Sequence, residues 1–172
     1  MILKAIDLSL MAEHLTIHKG VLGKLKLYYC LVQNPNLKQV IYEQLVIMRN
    51  HVHVMLMLID PEQNKEVTVS ALNQVQPITI NCKAYSNHMG DKSIALEAQH
   101  TAMSMAHDNF SSALKMKADN VRDIHLHMAL QQVRLQERYT SFINEMGWGY
   151  SPDISLEEQK NTLKMFKKMF DI

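Results

Sequence analysis

The chain has 172 residues, enough for one domain with its own hydrophobic core. Apolar residues make up 47% and aromatic ones only 6%, so the core is built from Leu, Ile, Val, Met and Ala, and five Gly and four Pro are too few for the turns of a β-sandwich or barrel. The net charge of +1, with no basic stripe and no acidic block, excludes a nucleic-acid surface and a solvating tail.

Residues 1–8 read as a short arm, with Asp7 or Ser9 capping a first helix over residues 9–32. Met11, Leu15, His18, Leu22, Leu25 and Tyr29 recur on one face of it. Residues 33–36, QNPN, form a tight turn around Pro35. A second helix follows over residues 37–60, with Leu37, Ile41, Leu45, Met48, Val52, Met55 and Ile59 on its core face, and Pro61 ends it. Residues 61–90 carry two prolines and no sustained helical stripe. They read as a long crossover packed along the rest, with at most one helical turn or a short extended piece.

A third helix spans residues 91–117, with Leu96, His100, Met103, His107, Phe110 and Leu114 on its expected core face. After a turn at residues 117–120, a fourth helix over 121–146 presents Ile124, Met128, Gln131, Leu135, Tyr139 and Phe142, and Gly147 closes it. Ser155 and Glu158 form a capping box for a short fifth helix over residues 155–170. Its apolar side, Leu163, Phe166 and Phe170, faces away from four lysines and is expected to dock on the bundle or on a second copy.

The two halves echo each other. A shift of eighty-four residues lays Glu13 on Glu97, Asn36 on Asn120 and Ile59 on Ile143. Two hairpins, residues 9–60 and 91–146, joined by a long crossover, give the connectivity of a ferritin-like four-helix bundle, here with a fifth C-terminal helix. The whole chain reads as that single domain.

Residues 135–159, LQERYTSFINEMGWGYSPDISLEEQ, carry an amphipathic helix with Glu137, then Gly147-Trp148, Tyr150 and Pro152. This stretch, and about sixty-five residues from Ile94 onward, resembles the repeat of the coat F family of bacterial spore coat proteins. The resemblance implies a ferritin-like bundle and a structural, non-enzymatic place in the endospore coat of a Bacillus-like bacterium. It also implies protein–protein contacts with other spore coat proteins, and a homodimer is a further expected partner arrangement. Nucleic acid and a membrane span are not expected. The N-terminus lacks the apolar core of a signal peptide, and runs such as residues 54–59 are too short to cross a bilayer, so synthesis in the cytoplasm is expected.

The alternative function is metal binding, with non-haem iron, manganese or zinc as the cofactor. Ferritin-like metal enzymes need a Glu from each of two helices and a Glu-x-x-His pair from each of the other two. Glu97 and His100 supply one such pair. Val46 and Leu126 stand where a second His would follow Glu43 or Asp123, so the six-residue set is incomplete and no catalytic residue is assigned. His14 and His18, one turn apart on helix one, could reach the Glu97–His100 level, and these four are the candidate metal ligands. His107 lies about 10 Å along helix three from His100 and is expected to be structural. His51 with His53, and His125 with His127, are spaced by two, so at most one of each pair faces inward. The competing reading makes the inward histidines hydrogen-bonded members of the core. Cys30 reads as an ordinary buried thiol, and Cys82, in the crossover, as the more reactive one.

Overall fold

The computed structural model describes residues 1–82 and 89–171. It is all-helical: α1 (Ala5–Leu31), α2 (Pro35–Ile59), α3 (Asp91–Ala113), α4 (Asp119–Glu145) and α5 (Leu156–Phe170). Among the described residues there is no strand, and no helix is long and apolar enough to cross a membrane. Helices α1 and α2 form one hairpin and α3 and α4 the other, and the crossover contributes a 3₁₀ turn at Val69–Asn73 against α2 and α4. The part of the crossover at residues 83–88 lies outside the described residues.

Helix α2 starts as its sequence dictates. Pro35 takes the first turn, and the Asn34 side chain accepts the N–H groups of Asn36 at 2.9 Å and Leu37 at 3.3 Å. Helix α4 ends in a Schellman arrangement: Gly147, at φ +68°, lets its own N–H reach Asn144 O while Trp148 N–H reaches Ile143 O. That turn lays Trp148 edge-on against Phe142, with ring centroids 5.8 Å apart. Ser155 and Glu158 form the expected capping box of α5.

The start of α1 differs from the expected arm. The helix begins at Ala5, and neither Asp7 nor Ser9 caps it. Asp7 instead lies wholly buried, and its carboxylate accepts Lys117 N–H at 2.7 Å and Ala118 N–H at 3.2 Å. It thereby supplies α4, which has no side-chain cap of its own, with a negative charge at its N-terminus. Asp91 does the same for the other hairpin, accepting Gln33 N–H at 3.0 Å and Asn34 N–H at 2.8 Å. The eighty-four-residue shift maps one clasp onto the other, atom for atom. The same shift separates Gln132 from Met48, which meet in the core where the halves face each other.

Helix α3 is turned around relative to expectation. Its buried face is Ile94, Ala95, Ala98, Thr101, Ala102, Met105, Asn109, Ser112 and Ala113. Small side chains there let α3 pack closely on α4, which outweighs the bulk of the opposite stripe. Leu96, Met103, Phe110 and Leu114 of that stripe are exposed. The expected faces of α2 and α4 do point inward, with Val52, Ile59 and Gln131 only half-buried.

One further expectation is corrected, and the expected docking of α5 on the bundle or on a second copy loses its first alternative. Cys30 and Cys82 are joined in a disulfide that ties the crossover to the last turn of α1, so neither is a free thiol. Helix α5 buries none of its residues against the bundle: Leu163, Phe166 and Phe170 are all exposed.

Candidate functional site

The apolar core is divided into two clusters. One contains Leu25, Leu45, Met48, Tyr139 and their neighbours, and the other Met11, Val54, Met55, Ile124 and theirs. Between Met11 and Leu25 on α1, and between Met48 and Val54 on α2, the buried face turns polar. His14 and His18 from α1, His51 from α2 and His125 from α4 are all buried there. Their rings form a row, with centroids 5.3 Å apart for His125–His14, 6.3 Å for His14–His18 and 5.9 Å for His18–His51.

Each ring is anchored through one nitrogen. His18 Nδ1–H donates to His14 O at 2.7 Å, and His125 Nδ1–H donates to Val121 O at 2.8 Å. His51 Nε2–H donates to Gln131 Oε1 at 2.7 Å, and the Gln131 amide is oriented by its own bond to Leu72 O. His14 Nε2 shares a hydrogen bond with Ser112 Oγ at 2.9 Å. In neutral imidazole a donor at one nitrogen leaves a lone pair at the other. His18 Nε2, His51 Nδ1 and His125 Nε2 are therefore acceptors, and all three are buried without a partner.

Burial governs their protonation. Desolvation holds His18 and His125 at about 4 and His51 at about 3, each assisted by its histidine neighbours, and it lowers His14 as well. The four are neutral at pH 7. Asp108, Glu13 and a hydrogen bond with the Asn109 side chain act on His14, and Asp7 on His125, in the opposite sense.

The expected ligand set is not assembled. His14 and His18 lie in the buried row, but Glu97 is bound by Lys24, whose Nζ sits 2.8 Å from Glu97 Oε1 and 2.7 Å from Thr101 Oγ1. His100 is exposed, with Ser104 Oγ at 3.5 Å. His107 is also on the surface, beside Asp108. Glu13 and Asp123 are exposed and Glu43 pairs with Arg138, so the chain does not fit a ferritin-type di-metal carboxylate centre. Among the described residues no three His, Cys, Asp or Glu side chains stand ready at ligand distance from one point. His51 and His125 are members of the row that the sequence alone did not single out. The signal was the spacing by two, and His53 and His127 are indeed the exposed partners of each pair.

No family model and no curated protein matches the sequence. The fold matches a solved structure. That structure is a Bacillus halodurans protein provisionally assigned to the spore coat. It superposes with a TM-score of 0.69 at 12% sequence identity, covering 90% of this chain and 96% of that one. At that identity the likeness shows a shared helical-bundle fold.

Proposed function

We propose that this chain is a structural component of the endospore coat, of the coat F type, and that it works through protein–protein contacts without catalysis. The observation that carries this reading is the fold match over nearly the full length of both chains, together with the coat F-like stretch at residues 135–159. Two surface features and the disulfide support it. The apolar stripe of α3, with Leu96, Met103, Phe110 and Leu114, is open. So is the apolar side of α5. Adhesive helical faces of this kind suit a protein that assembles with other coat proteins or with its own copies. The Cys30–Cys82 bond suits a protein that comes to rest in an oxidising layer outside the cytoplasm.

A fluorescent fusion in a sporulating Bacillus tests the proposal. The fusion should gather around the forespore and be recovered in the coat extract. A version lacking residues 155–172 should keep its fold, because α5 covers none of the bundle, and should be recruited less. A full-length fusion that stays diffuse in the cytoplasm of the mother cell would refute the coat assignment.

A further inference from the structure

We infer that two copies of the chain associate through the outer stripe of α3, set antiparallel about a twofold axis near Met105, with Leu130 and Val133 of α4 widening the contact.

The stripe has the spacing of a helix seam. Leu96, His100, Met103, His107, Phe110 and Leu114 are separated by four, three, four, three and four residues, the intervals by which two helices lock side chains along one another. All six are exposed, the four apolar ones at between 40% and 70%. The seam runs about 27 Å along the helix. Among the described residues nothing covers it, because α3 gives its alanine-rich face to α4 and its Glu97, Thr101 and Ser112 side to α1. Leu130 and Val133 of α4 are exposed as well, and the Gln99–Thr140 hydrogen bond sets α4 so that they stand level with the second half of the stripe. Elsewhere on the bundle helices exposed apolar residues are isolated, as Leu56 is on α2.

The area is what a pair of copies needs. The six apolar side chains leave roughly 500 Å² open, near the top of the range for a chain that stays alone. Two such faces brought together bury about 1,000 Å², the least that a specific interface requires. Association of that size is weak, half complete at roughly 10–100 µM, so the dilute chain of a thermal melt is single.

A second copy is also the partner that the order of side chains fits. The intervals read the same from either end. A twofold axis therefore lays Leu96 against Leu114 of the second copy, His100 against Phe110 and Met103 against His107. Each imidazole then meets an aromatic or thioether side chain, whereas a parallel pair would set each histidine against its own counterpart. The positions flanking the seam bring no like charges together. Ser104 and Ala106 meet their own counterparts, and Glu97, already paired with Lys24, comes level with Ser111 of the second copy. Asp108 stays beside its own His107, at 3.6 Å.

The full-length protein should sediment as a monomer at low micromolar concentration and shift toward a dimer between about 10 and 500 µM. Met103→Glu sets a charge on each copy beside the axis and should weaken association about ten-fold or more, with the melt of the dilute chain unchanged. Mixing it with Met103→Lys should restore the dimer. Leu56→Glu on α2 and Phe166→Glu on α5 should associate as the parent does. The direction is read with o-phenylenedimaleimide, which bridges free thiols and leaves the Cys30–Cys82 disulfide alone. Leu96→Cys and Leu114→Cys should cross-link when mixed, and neither should do so by itself. A parent that stays monomeric at about 500 µM overturns the proposal, as does full association of Met103→Glu, association lost with Phe166→Glu, or cross-linking of Leu96→Cys by itself. The dimer gives the coat reading one of its protein–protein contacts, yet the two fail separately, because sedimentation does not depend on where the protein resides in the cell.

Discussion

Asp7 lays its two carboxylate oxygens on the N–H groups of Lys117 and Ala118, as Asp91 lays its own on those of Gln33 and Asn34. Each hairpin thus begins with an aspartate that holds the turn of the other. Asp7 is the more deeply buried of the two. Asp7→Ala leaves two backbone donors unpaired and should cost roughly 3 kcal/mol, whereas Asp91→Ala should cost less because water can replace it. Urea denaturation of the two variants measures this, and an unchanged midpoint for Asp7→Ala would show that the clasp contributes nothing to stability.

The buried histidines make stability depend on pH. Their folded values lie near 3 to 4 for His18, His51 and His125, below the ordinary value of 6.5. Between those limits the unfolded chain binds more protons than the folded one, so stability falls as pH falls. It should be fully present above about pH 6.5 and decline steadily toward pH 4. Thermal midpoints across that range check the sign. A variant in which Ala, Ala, Leu and Ile replace the four histidines should show a much flatter profile.

Met128 and Phe110 mark the two sides of the wall. Met128 is fully buried and Phe110 is 51% exposed. Met128→Asp places an unpaired charge in the core and should cost more than about 4 kcal/mol, enough to unfold the bundle. Phe110→Ser should change stability by less than about 0.5 kcal/mol. Circular dichroism melts separate the two. A large loss from Phe110→Ser would mean that the outer stripe of α3 is covered in solution.

The Cys30–Cys82 bond closes a loop of 52 residues. Chain-entropy arguments give about 4 kcal/mol for a loop of that length, an upper figure because the unfolded chain retains some order. Cys82→Ser should lower the urea midpoint of the oxidised protein and leave that of the fully reduced protein unchanged. Equal midpoints for oxidised parent and variant would show that the bond does not form in solution.

The helices, their approximate ends and the long crossover were legible in the residues. Apolar spacing, Pro35, Pro61, Gly147 and the Ser155–Glu158 pair act within a few residues of chain, and local chemistry decides them. The repeat was legible too, in Glu13 and Glu97 or Asn36 and Asn120, although its meaning was not.

What only the tertiary structure decided is what meets what. Helix α3 carries a bulky stripe and an alanine-rich stripe at the same period, and periodicity cannot say which one a neighbour covers. Close approach to α4 chose the small one. Cys30 and Cys82 pair because the crossover runs back along α1, a path that no local signal records. Asp7 looked like a cap for its own helix and became the anchor of another. The histidines show the same division. Their spacing by two and by four determined that some must face inward, whereas the packing of α1, α2 and α4 determined that His14, His18, His51 and His125 share one dry layer and that Glu97 and His100 do not. Spacing along a helix fixes direction about its axis. Only the packing of helix against helix brings side chains distant in sequence within reach of one another.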